Sequence, residues 1–197
     1  MKILKLIFLL IVFVPSLSQA KPQVYFDYKI YYTPDHNPYV ETLMMFHCST
    51  LKFVGDNAGN LTSKIEITQI FKLNDSIVLA DKYIVNSPVM LDSTIENFYD
   101  VKRFQLEPAV YDYEIIITDV NNAETISAEQ QIVIPAFETG KVDMSSIGFI
   151  QSITKTEEKN PFVKNGFLIL PYLQNYFPPV NDKVMAYFEL YNTKSLL

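Results

Sequence analysis

Apolar and polar side chains alternate with a period of two along most of the chain after residue 20. In residues 26–32, Phe26, Tyr28, Ile30 and Tyr32 share one face, and Asp27, Lys29 and Tyr31 share the other. Similar alternation covers residues 65–73, 111–118 and 184–191. Because successive strand residues point to opposite faces of a sheet, these runs predict half-buried β-strands.

The segments between these runs carry turn residues, at positions 55–60, 73–76 and 119–122. Asn, Asp and Gly tolerate the positive φ that tight turns require. The pattern Leu-x-Pro-x-x-Tyr at residues 106–111 resembles the tyrosine corner of sandwich domains, although an ordinary turn before an inward-facing Tyr would read the same way. We therefore expect an all-β protein built on an immunoglobulin-like or fibronectin III-like antiparallel sandwich.

The order of these runs predicts four segments. Residues 1–20 form a signal peptide, 21–136 a β-sandwich, 137–146 a linker and 147–197 an incomplete second β unit. Pro135 marks the end of the sandwich, because proline cannot donate to a strand ladder. In the second unit we expect Val184, Ala186, Phe188 and Leu190 to form an apolar strand face.

Residues 1–20 have the features of an export signal. Lys2 and Lys5 precede an apolar run at 6–14, and Ser18-Gln19-Ala20 fits a cleavage site. The run is about half the roughly 20 residues that span a bilayer, so we expect cleavage, a periplasmic or extracellular location and no remaining membrane span. Removing two lysines takes the net charge from -6 to -8, which disfavours nucleic acid as a partner.

The side chains that catalysis usually requires are scarce. His36 and His47 are the only histidines, Cys48 is the only cysteine, and no G-x-S-x-G pattern is present. We therefore predict no catalytic residues, no cofactor and no metal site. Asp56, Asn57 and Asn60 leave calcium open as an alternative, although turns require the same residues.

Three tyrosines near the start of the mature chain form a candidate ligand patch. Tyr25 and Tyr31 lie on the polar face of the first predicted strand, and Tyr39 follows closely. Exposed aromatic rings of this kind can bind sugars, whereas tyrosines packed across neighbouring strands would serve the sheet alone.

Several stretches resemble a group of uncharacterised secreted proteins of Bacteroidota. They include residues 26–29, 38–42, 66–72, 82–88, 105–106, 155–158, 171–173 and 187–192. The resemblance implies tandem immunoglobulin-like sandwiches in a chain longer than this one, distantly similar to the N-terminal part of GWxTD-type proteins. It also implies O-glycosylation at Ser76 and Ser93, which stand in Asp-Ser-Ile and Asp-Ser-Thr triplets.

Together these features favour a non-enzymatic interaction or scaffold module outside the cytoplasm. Open sandwiches have edge strands that can accept a partner strand, so we expect a protein partner in the cell envelope. A carbohydrate-binding module that uses Tyr25, Tyr31 and Tyr39 is the alternative.

Overall fold

The computed structural model describes residues 20–90, 96–179 and 183–196. The predicted signal peptide therefore lies almost wholly outside the described residues. The first part of the fold contains β1 Val24–Tyr32, β2 Pro38–Phe46, β3 Val54–Gly55, β4 Leu61–Thr62, β5 Lys64–Leu73, β6 Ser76–Asn86, β7 Phe98–Gln105, β8 Ala109–Asp119 and β9 Glu124–Ile134. A 3-10 turn at Cys48–Thr50 follows β2.

Two antiparallel sheets pack face to face in this part of the chain. One has the order β1-β2-β7 and the other the order β6-β5-β8-β9, while β3 and β4 form a small hairpin. The core between the sheets includes Ile30, Val40, Phe46, Ile65, Ile67, Phe71, Phe98, Phe104, Tyr113, Ile115, Ile117 and Ile132. An all-β sandwich is therefore confirmed, and the apolar faces predicted for 26–32, 65–73 and 111–118 point into its core. Tyr32 is the exception, because its ring packs on Phe137 and Tyr191 instead.

Two predicted turns take the expected geometry. The β5–β6 hairpin turns at Asn74 and Asp75, which have φ of 50° and 61°, values that these two residue types tolerate. At the start of β8, the Tyr111 hydroxyl donates to the Glu107 carbonyl at 2.9 Å. A Tyr hydroxyl that donates to the backbone a few residues upstream is one feature of the tyrosine corner of sandwich domains.

The second part of the fold contains β10 Asp143–Met144, β11 Gly148–Lys155, β12 Val163–Lys164, β13 Phe167–Pro171, β14 Met185–Tyr187 and β15 Leu190–Tyr191, with a 3-10 turn at Thr193–Leu196. One antiparallel sheet has the order β12-β13-β11-β14, and β10 pairs with β15. The predicted linker 137–146 thus contributes a short strand that pairs with the end of the second unit.

The sheet β1-β2-β7 is buried on both faces. One face lies against the sandwich core, and the other packs Leu43 and Met45 against Leu173 of the second unit. The molecule therefore has three layers of sheet, with β2 in the centre. Among the described residues, no helix has the length and apolar character to cross a membrane.

Candidate functional site

A cluster of charged side chains lies between the sandwich and the second unit, with Glu41 at its centre. Glu41 stands on β2, directly opposite Arg103 on β7, and is only 3% exposed. Arg103 Nε donates to Glu41 Oε2 at 2.7 Å, and Arg103 Nη2 donates to the Pro161 carbonyl at 2.7 Å. The single arginine of the chain therefore links the sandwich to the second unit.

Lys164 of β12 completes this cluster from the second unit. Its Nζ lies 2.9 Å from Glu41 Oε1 and 3.2 Å from the centre of the Tyr31 ring. The ammonium makes no well-directed hydrogen bond, so the contact with Glu41 is an ion pair supplemented by a cation–π contact. Burial lowers the pKa of Lys164, and the carboxylate of Glu41 opposes that shift.

A second carboxylate, Glu189, is held by tyrosine hydroxyls. Tyr187 donates to Glu189 Oε1 at 2.7 Å, and Tyr191 donates to Oε2 at 2.8 Å. The Tyr191 hydroxyl oxygen also accepts from the backbone N–H of Tyr32, at 3.2 Å. Burial, assisted by the negative charge of Glu189, raises the pKa of Tyr187 and Tyr191. The hydrogen bond between Tyr32 and Tyr191 connects the end of β1 to the last strand, β15.

The tyrosine patch differs from its prediction. Tyr31 is only 3% exposed, so its predicted exposure is wrong. The second unit covers the polar face of β1, and the Lys164 ammonium lies over the face of the Tyr31 ring. Tyr39 is half-buried and stacks on Tyr31, with 5.7 Å between ring centres. Tyr25 is also half-buried and packs on the Leu43–Met45 cluster. The three residues therefore do not form one open platform.

An open cleft of about 570 Å³ adjoins the charged cluster. Tyr39, Arg103, Lys164 and Glu189 line it together with His36 of the β1–β2 loop. The His36 ring is exposed and stacks on Phe137, at 4.2 Å between ring centres.

The outer face of the second unit carries a strip of exposed apolar side chains. The predicted apolar set Val184, Ala186, Phe188 and Leu190 is exposed to solvent, and the single strand predicted for it is divided, because β14 ends at Tyr187 and β15 begins at Leu190 in a different sheet. We call the following set the apolar strip, whose large members are about half exposed: Met144, Ile147, Phe149, Val184, Ala186, Phe188 and Leu190. Strand pairing places Phe149 opposite Ala186 in the four-stranded sheet and Met144 opposite Leu190 in the two-stranded one.

The remaining predicted residues occupy separate places. Ser76 is exposed at the first position of β6, whereas Ser93 lies outside the described residues. His47 and Cys48 follow β2 instead of lying on it, and the buried Cys48 thiol donates to the Glu96 carbonyl. The Asp56 carboxylate accepts from the backbone of Ala58 and Asn60 within its own loop.

Sequence reasoning missed Glu41, Arg103 and Lys164 as a group. They lie on β2, β7 and β12, and no local spacing relates residues so far apart in the chain. One signal was available: residues 43–46 are four consecutive apolar residues, a pattern typical of a strand buried on both faces.

Comparison with protein-family models, with curated proteins and with solved structures finds no match for this chain. The resemblance to secreted Bacteroidota proteins therefore stays a prediction.

Proposed function

We propose that this chain is an exported, non-catalytic interaction or scaffold module of the cell envelope, which binds a protein partner through the apolar strip. The observation that carries the proposal is the solvent-facing side of the second unit. On that side, the large apolar side chains of the strip are about half exposed to solvent.

The composition of the strip suits a protein interface. Phe149 and Phe188 supply aromatic surface and Met144 an adaptable thioether, and aromatic residues and methionine are enriched where proteins meet. No acidic or basic residue belongs to the strip itself, while Lys183 and Glu189 flank its strands. A contiguous exposed apolar patch with a polar rim is characteristic of an interaction surface.

The rest of the molecule supports a module of this kind. The three-plus-four strand order and the Tyr111 hydrogen bond favour an immunoglobulin-like sandwich, an architecture common among cell-surface domains. Both oxygens of Glu41 and both of Glu189 are already engaged inside the protein. These carboxylates join the layers of the fold. The export signal predicted for residues 1–20 supports an envelope location.

Site-specific photo-crosslinking in cells that produce the protein tests this proposal. A benzophenone amino acid replaces Phe188 in the strip or, as a control, Val133 on β9, which is somewhat more exposed than Phe188. We expect a discrete adduct from position 188 alone, and we expect Phe149→Ser to abolish it while the thermal unfolding midpoint changes little. Equal crosslinking from both positions, or an adduct insensitive to Phe149→Ser, would overturn the proposal.

A further inference from the structure

The cleft beside the charged cluster has hydrogen-bonding capacity that the protein does not use. A guanidinium has five N–H donors. Two of those on Arg103 donate within the protein, to Glu41 and to the Pro161 carbonyl, which leaves three. In the part of the chain that the structure describes, these three donors have no acceptor, and the Arg103 side chain is 38% exposed where it lines the cleft.

The two carboxylates beside the cleft, by contrast, are engaged within the protein. Glu41 faces Arg103 and Lys164, and Glu189 accepts from Tyr187 and Tyr191. Glu41 pairs with both Arg103 and Lys164, and Glu189 lines the cleft, so these two cations and two carboxylates balance in charge. What the cleft has in excess is the three unused donors of Arg103, and a carboxylate supplies two acceptor oxygens in the geometry of a guanidinium fork.

The cleft also contains aromatic surface suited to a ring. One face of the exposed His36 imidazole is backed by Phe137, and Tyr39 contributes a half-buried phenol ring. A volume of about 570 Å³ lies in the range of small-ligand sites, which combine apolar and aromatic walls with a few placed polar groups. Together, an anchoring guanidinium and stacking rings match a sugar that carries a carboxylate.

From this combination we infer that the cleft binds the uronic acid residues of an acidic saccharide, with Arg103 holding the carboxylate and His36 and Tyr39 contacting the sugar ring. The site adjoins the apolar strip at Leu190, but the guanidinium and both rings lie off the strip. Loss of one activity would therefore leave the other measurable.

Titration calorimetry of the full mature chain tests the site with three probes: trigalacturonate, neutral maltotriose and a tetraglutamate peptide. We expect heat from trigalacturonate alone. Equal binding of tetraglutamate would overturn the saccharide assignment, equal binding of maltotriose would overturn the carboxylate anchor, and no binding of any probe would overturn the site.

Two variants separate the site from general charge effects. Arg103→Lys keeps a positive charge beside Glu41 but removes the fork of donors, and we expect it to weaken trigalacturonate binding at least about tenfold, the effect of one charge-assisted hydrogen bond. Lys102→Gln removes one charge from the neighbouring position, where the lysine pairs with Asp81 instead, and should leave binding within about twofold.

A third variant keeps the test valid if Arg103→Lys unfolds the protein. His36→Gly removes the ring at a loop position whose φ is 65°, a backbone conformation that glycine adopts readily. We expect weaker trigalacturonate binding with an unchanged circular dichroism spectrum. Unchanged affinity in both Arg103→Lys and His36→Gly would contradict the assignment.

Discussion

The hydroxyl of Tyr111 fastens the loop before β8 to the strand that follows it. Tyr111→Phe removes the hydrogen bond to the Glu107 carbonyl and keeps the ring, which is buried in the core. Because a typical intramolecular hydrogen bond contributes about 1 kcal/mol, we expect the free energy of unfolding to fall by about 1–1.5 kcal/mol in urea denaturation.

A matched change at a solvated tyrosine provides the control for that measurement. Tyr176 is 65% exposed, and its hydroxyl is not among the hydrogen-bonded groups of the described chain. Tyr176→Phe should change the free energy of unfolding by less than about 0.5 kcal/mol. Equal losses of unfolding free energy in the two variants would show that the hydrogen bond of Tyr111 adds no stability of its own.

The hydrogen-bond partners of single polar residues on apolar strand faces could not be predicted from the sequence. The strand pattern places Gln69 on the inward face of β5, and it is fully buried there. Its amide accepts from Tyr113 and donates to Tyr83, which in turn donates to Asp100 at 2.7 Å. These partners come from three other strands, so the network depends on tertiary contacts that a local pattern does not contain.

The strands and their faces could be predicted because period-two alternation is a local property. The pattern placed Ile65, Ile67 and Phe71 together, and all three are fully buried. Alternation does not specify which side another layer covers, and this caused two errors. The face with Tyr31 is buried by the second unit, while the face with Phe188 and Leu190 is exposed. Both outcomes depend on how layers stack.

Strand β2 shows the consequence of stacking most directly, because both of its faces are covered. Met45 is 2% exposed and packs on the second unit, not in the sandwich core. Met45→Lys would bury an unpaired ammonium there, so we expect the free energy of unfolding to fall by more than about 3 kcal/mol in urea denaturation.

The control for Met45→Lys uses a strand face that meets solvent. Val133 on β9 is 58% exposed, and Val133→Lys should change the free energy of unfolding by no more than about 0.5 kcal/mol. If Met45→Lys were as mild as Val133→Lys, the second unit would not cover β2 in solution.

At the scale of the whole molecule, two proposed binding features adjoin each other. Leu190 belongs to the apolar strip and also lines the cleft. A protein partner seated on the strip would therefore reach the edge of the cleft. The charged cluster of Glu41, Arg103 and Lys164 connects both features to the sandwich. The proposed scaffold would therefore carry two recognition surfaces next to each other.

The joined layers also bury many tyrosine hydroxyls, and this predicts alkaline sensitivity of the whole molecule. Burial raises the pKa above the ordinary value near 10 at Tyr31, Tyr39, Tyr83, Tyr113, Tyr187 and Tyr191. Above about pH 10 the unfolded chain loses phenolic protons that the folded chain keeps. Stability from these groups is therefore complete below pH 10 and falls as the pH rises further.

Lys164 acts in the opposite direction, since a lowered pKa makes the folded state gain stability as the pH rises towards 10.5. The stability that this one lysine adds is smaller than the stability that several tyrosines remove, because each tyrosine lowers the free energy of unfolding by up to about 1.4 kcal/mol per pH unit. We expect the urea midpoint to drop steeply between about pH 10 and pH 11, together with a cooperative rise in tyrosinate absorbance. If the urea midpoint stayed level while tyrosinate formed gradually, these hydroxyls would be titrating in contact with solvent. The sheets would then not pack closely enough to exclude water from them.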